Sequence, residues 1–205
     1  MTAQPLHTKL INAAAREVLG PLGLVQSGRS RLWTDDHGWW LIGVDFEPSG
    51  FSKGTYLTVS VMWLWTEEQG FGAHFGGRVH RSGGLFHHRG GEEFVAFQTE
   101  EQFAPEAHRL AGAAAERVMM YRALFADLAH IPVLLLDHRK GKTEGGPRDV
   151  YHDAYHVAVA YGLLGHAPQA RAFFARACIV PATVGWHHQH NDLIQPHPHR
   201  LPHWA

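Results

Sequence analysis

The chain has 205 residues, 45% of them hydrophobic and 18% charged, which is enough apolar material for a sizeable core and too much for a disordered polymer. A net charge of −1 argues against duplex DNA or an anionic membrane as a bulk electrostatic partner. The single cysteine, Cys178, cannot form an intrachain disulfide and fits a reducing cytoplasm.

The opening MTAQPLHTKLINAAAREVLG lacks the continuous apolar run of a signal peptide, and no stretch approaches the roughly 20 apolar residues of a spanning helix. It reads instead as a helix over 5–19. Leu6, Leu10, Ala14 and Val18 recur every four residues, Pro5 suits the first turn, and Gly20-Pro21 ends it. Residues 25–33 read as a strand, and Asp35-Asp36-His37-Gly38 as the turn that returns the chain.

The stretch from Gly38 to Trp65 carries the clearest pattern. Trp40, Ile42, Val44 and Phe46 alternate with Trp39, Leu41, Gly43, Asp45 and Glu47; Leu57, Val59, Val61, Trp63 and Trp65 alternate with Tyr56, Thr58, Ser60, Met62 and Leu64. A period of two predicts two strands with one apolar and one mixed face. The linking PSGFSKG has the proline and glycines of a turn. A weaker strand around 78–81, a glycine-rich loop over 82–93 and a last strand over 94–98 complete a meander of four or five antiparallel strands.

Thr99 and Gln102 form a capping-box pattern, and Pro105 is placed at the opening of a long helix running to about residue 129. IPVLLLD, 131–137, is too short for periodicity to decide between strand and helix. HRKGKTEGGPR is a polar break. Residues 149–178 then read as two helices around Gly165, with Ala158, Tyr161, Gly165, Ala170, Phe174 and Ala177 at the spacing of one tetratricopeptide repeat. No second copy appears, so a packed helical hairpin is expected and not a repeat array. The expected class is α+β: an antiparallel sheet covered by the N-terminal and the long helix (1–137), a helical hairpin (147–180) and an extended His/Pro-rich tail (181–205).

The N-terminal helix, the PLGL and GRSRLW entry, VDFEPSGFSKGTYLTVSV and the later TEEQF resemble a bacterial family known as domain of unknown function 4304, over about residues 1–130. The resemblance implies an α+β fold. It brings no catalytic residues to carry over.

Several side chains invite a chemical reading. Asp45 and Glu47 share a strand face, where two carboxylates can divide acid and base roles; the competing reading is a solvated face. Between the two stands a polar groove lined by Asp45, Glu47, Tyr56, Thr58 and Ser60, with Trp65 and Phe71 as aromatic anchors for a protein or small-molecule partner. His152 and His156 are four apart on one side of a helix, a metal-binding spacing that still needs a third ligand such as His138, Asp149 or the tail. HDAYH lacks the glutamate of HExxH.

His187, His188 and His190, with His197, His199 and His203, form the densest histidine cluster; such tracts bind divalent metal adventitiously, and alternating Pro-His equally suits an arm laid on a surface. His87 and His88 sit in the glycine-rich loop, and Cys178 reads as a small buried hydrophobe. No GxSxG, phosphate loop or dinucleotide fingerprint is present. The expectation is a cytoplasmic, non-catalytic ligand- or protein-binding module without a required cofactor; the alternative is a metal-dependent hydrolase using the histidines. Trp186 and Trp204, with Leu193, Ile194 and Leu201 between them, further suggest that the tail docks and does not trail free.

Overall fold

The computed structural model describes residues 4–66, 70–79, 94–140 and 147–177, with the backbone alone at 138–140 and 147–152. The glycine-rich loop histidines, Cys178 and the tail lie outside the described residues. The chain divides into two compact units, Met1–Ala123 and Leu124–Ala205.

In the first unit α1 spans Leu6–Leu19, with Pro5 just ahead of it and a 3-10 turn over Gly20–Leu22 after it. Ile11, Ala14, Ala15 and Leu19 form its buried stripe. Five antiparallel strands follow as a meander: β1 Val25–Gln26, β2 Leu32–Asp36, β3 Trp40–Asp45, β5 Thr58–Trp63 and β6 Phe75–Arg78, in the order β1-β2-β3-β5-β6. Between them, β4 (Gly54–Thr55) leaves the meander and pairs with β7 (Val95–Ala96) as a separate two-stranded sheet.

The single strand expected over 25–33 is two strands. Ser30 Oγ donates to the Ser27 carbonyl and Gly28 holds φ 58°, so Ser27–Ser30 closes a turn in the middle. The strand expected at 78–81 is centred earlier, on Phe75–Arg78.

Register explains the core. Val44 faces Val59, Ile42 faces Val61 and Trp40 faces Trp63 across β3 and β5, while Trp33 of β2 stands opposite Val44. All are buried, as are Phe46 and Leu57. Helix α2 (Glu100–Leu124) lies on this face: Tyr121 Oη donates to the Val59 carbonyl at 3.5 Å, and the Tyr121 ring meets Phe75 edge-on. The helix begins at Glu100 and not at Pro105, because Thr99 Oγ1 accepts from the Gln102 backbone at 3.3 Å and Gln102 Oε1 accepts from the Gln98 backbone. It ends at Leu124, short of the expected 129, where the chain turns toward a 3-10 turn at Leu128–His130 capped by Asp127.

In the second unit 131–137 is helical, within α3 (Ile131–Lys140). Helices α4 (Pro147–Leu163) and α5 (Ala167–Ala177) form the expected hairpin. Gly165 turns it at φ 78°, a left-handed position that suits glycine. Ala158 and Ala170 are fully buried, and Tyr155–Phe174 and Tyr161–Phe173 ring pairs fill the space between the helices. Among the described residues no single helix is long and apolar enough to cross a membrane.

Candidate binding site

The β2–β3 hairpin sets the geometry. Asp36 Oδ1 accepts from the Gly38 backbone at 2.8 Å, Gly38 takes φ 83°, and the His37 backbone N–H donates to the Trp40 carbonyl at 3.0 Å. This tight turn places Trp39 at the end of the sheet. Leu64 N–H then donates to the Trp39 carbonyl at 3.0 Å, bringing the end of β5 alongside. Past Trp63, Thr66 closes a turn, its hydroxyl donating to the Trp63 carbonyl at 2.7 Å, and Trp65 folds back on Trp63.

The result is a terrace of three near-parallel indoles. Centroids of Trp39 and Trp63 are 6.0 Å apart, those of Trp39 and Trp65 5.8 Å, and those of Trp63 and Trp65 5.3 Å, with interplanar angles of 11°, 4° and 7°. Trp63 is fully buried and acts as the floor, whereas Trp39 and Trp65 are half-buried. Stacking of aromatic pairs adds about 0.5–1.5 kcal/mol per pair beyond burial.

Beside the terrace, His37 stacks on Trp40 with centroids 4.2 Å apart, and Trp40 in turn meets Trp39 at 5.8 Å. His37 Nε2 lies 2.8 Å from Oδ2 of the buried Asp35, and Arg122 Nε donates to the same oxygen at 2.8 Å. Arg122 also donates to the Leu22 carbonyl at 2.6 Å. Burial by itself would push the Asp35 carboxyl up, but the hydrogen bonds from Arg122 and His37 outweigh it and hold the group below the usual range.

The polar residues singled out in the sequence gather at the opposite end of the sheet, where Asp45 faces Thr58. Glu47 is committed internally: its carboxylate accepts from the Thr58 hydroxyl and from Arg78 Nη2 at 3.1 Å. Arg78 also lies 4.2 Å over the Tyr56 ring, which packs on Phe94. Asp45 is half-buried, and no described residue hydrogen-bonds it. Burial and then the charge of Glu47 raise its pKa, with Arg31 opposing.

Midway along the mixed face the sheet is covered. Ser60 is buried, and Phe71 lies so closely on Gly43 that a Cβ there would sit 2.2 Å from Cζ of the ring. Phe71 thus packs on the sheet between the polar end and the terrace, and Trp65 belongs to the terrace. The structure brings Glu47, Thr58, Tyr56 and Arg78 together but does not join them to Trp65.

No family model, curated protein or solved structure matches this chain.

For the metal reading, His156 is buried at 2% exposure, edge-on to Tyr155. Among the described residues no group of three or more His, Cys, Asp or Glu is arranged to hold a metal ion. The side chain of His152, and His187, His188 and His190 entirely, lie outside the described residues. Sequence reasoning missed Trp39 as a terrace member and treated Asp35 and His37 as turn chemistry alone. The signal was available in DDHGWW: Asp35 and His37 are two apart, so they share a strand side.

Proposed function

We propose that this protein is a non-catalytic binding module whose ligand or partner rests on the indoles of Trp39 and Trp65 over the floor of Trp63. The observation that carries this reading is the near-parallel triple stack, in which Trp39 and Trp65 are half-buried and Trp63 is buried. Aromatic side chains already fixed by packing lose little entropy on binding and are frequent anchors of recognition surfaces. Leu64, 39% exposed beside them, extends the apolar area. The lone cysteine supports placing the module in the cytoplasm.

The test is a titration of isotope-labelled, tag-free protein with three probes: indole, a proline-rich decapeptide and neutral oligosaccharides, following the seven indole N–H signals. Binding should move the Trp39 and Trp65 signals first, and Trp65→Ala should abolish the response while leaving the amide spectrum folded. Responses confined to residues remote from both tryptophans would overturn the assignment. Elemental analysis of protein purified without added metal addresses the hydrolase alternative: stoichiometric zinc, manganese or iron that is lost on His152→Ala would replace the binding reading with a metal enzyme.

A further inference from the structure

We infer that His7, Arg31 and Lys53 form a site for a phosphate group, at the end of the sheet opposite the terrace and independent of it. Separate segments of the first unit meet there. Arg31 stands just ahead of β2. Its Nη1 donates to the Phe46 carbonyl at 3.4 Å and to the Gly54 carbonyl at 3.1 Å, and its Nη2 donates to Thr8 Oγ1 on α1. His7, beside Thr8, packs its ring on that of Phe97 with centroids 5.7 Å apart. Phe97 in turn donates its backbone N–H to the Lys53 carbonyl at 2.9 Å. These contacts gather the cations around the first turn of α1.

Their charges are not cancelled by contact. Every acceptor of Arg31 is a neutral oxygen, and Asp45 acts on it only through space. Lys53 is exposed, and among the described residues no side chain bonds it. His7 is half-buried; burial and then the charges of Arg31 and Lys53 lower its pKa, so both cations lie close enough to oppose its proton. The positive end of the α1 dipole adds the same sign.

Two permanent charges, and one that a proton adds to His7, match a doubly charged anion better than a carboxylate. A phosphate monoester carries about −1.5 to −2 near pH 7. Lys53 supplies rotatable donors, His7 a directional N–H, and Arg31 a charge fixed by its own hydrogen bonds. Phosphate groups come either on soluble molecules or on lipid headgroups. Phe51, fully exposed two residues before Lys53, suits the second source, since an aromatic can enter the acyl boundary while cations meet the headgroups. Arg31 ties both ends of the loop that carries Phe51, at Phe46 and Gly54.

The experiment follows the His7 and Lys53 side-chain signals of labelled protein during titration with inorganic phosphate. Sodium chloride at matched ionic strength is the reference, because salt alone screens the repulsion. Phosphate should raise the His7 pKa beyond its value in chloride and leave His108 as it is in chloride. Lys53→Gln should weaken phosphate about threefold to tenfold, the worth of an exposed charge-assisted hydrogen bond. A second arm measures capture by phosphatidylcholine vesicles with and without phosphatidic acid. Capture that requires both phosphatidic acid and Lys53 assigns a lipid headgroup, and Phe51→Ser should weaken it while leaving the protein folded. A phosphate response without Lys53-dependent capture assigns a soluble phosphorylated ligand. If phosphate moves His7 no further than chloride does, and Lys53→Gln leaves vesicle capture unchanged, the site is overturned.

Discussion

Asp45 shows how one side chain can be placed against its own stability. It is half-buried without a hydrogen bond from any described residue, and burial and Glu47 both favour its protonated form. A carboxyl whose folded pKa is raised contributes fully below its ordinary value of 3.8 and loses that contribution as pH rises through the folded pKa. At pH 7 it is therefore a cost. Asp45→Asn should raise stability at pH 7, read as a higher thermal midpoint, by less than about 1 kcal/mol of unfolding free energy because the site is partly solvated, and change little at pH 3. Equal shifts at both pH values would mean that packing and not charge is responsible. Glu47 differs although it lies only two residues away, since Arg78 and Thr58 occupy both of its oxygens. Their separate environments were invisible in the sequence, which shows two acids on one face and nothing of Arg78 arriving from another strand.

At the scale of elements, legibility followed the length of the pattern. The alternation from Trp40 to Trp63 is long enough to fix two strands and their buried face, and α1 and the α4–α5 hairpin carry both periodicity and punctuation. Short segments were different. Val25–Gln26 and Val95–Ala96 are two residues each, too short for alternation to show, and the second is held by pairing with Gly54–Thr55 far earlier in the chain. The terrace was hidden for a related reason: Trp39 and Trp63 belong to different faces by alternation and meet only because the hairpin and the Thr66 turn bend the strand ends. β6 depends on an equally nonlocal constraint. Gly76 holds φ 89°, and a Cβ there would lie 2.5 Å from Tyr121 Oη and 2.6 Å from the Val59 carbonyl. Gly76→Ala should cost roughly 2–4 kcal/mol in urea unfolding, combining backbone strain with displacement of β6 from β5. Tyr121→Phe should restore little, because the Val59 carbonyl remains. Full rescue would show that the tyrosine hydroxyl alone enforces the glycine.

Across the molecule, 18 histidines suggest a protein that responds to mild acid as a whole, but two of the described ones respond in opposite senses. His108 donates from Nδ1 to the Ala104 carbonyl at 3.0 Å and from Nε2 to Glu17 at 3.1 Å, which raises its pKa and ties α2 to α1. Its contribution is present below the ordinary value of 6.5 and lost as pH rises through the raised value. His7 is shifted down by burial, then by Arg31 and Lys53, so its contribution is present above 6.5 and lost as pH falls through the lowered value. His108→Gln should therefore lower the thermal midpoint more at pH 5.5 than at pH 8. His7→Gln should raise it at pH 5.5 relative to pH 8. Parallel responses of the two variants would show that net charge governs acid stability and local partners do not.

The small β4–β7 sheet has a consequence for the order in which the chain assembles. Pairing Thr55 with Val95 closes a loop that contains all of β5 and β6, whereas the β2–β3 hairpin forms between neighbours. Closing the longer loop costs more chain entropy before any contact rewards it, so this pairing should come after the folding barrier has been crossed. Val95→Ala should then accelerate unfolding and leave the refolding rate unchanged, while Val44→Ala in the central strand should slow refolding. Stopped-flow measurements of both variants decide it, and a slower refolding rate for Val95→Ala would place the small sheet inside the nucleus.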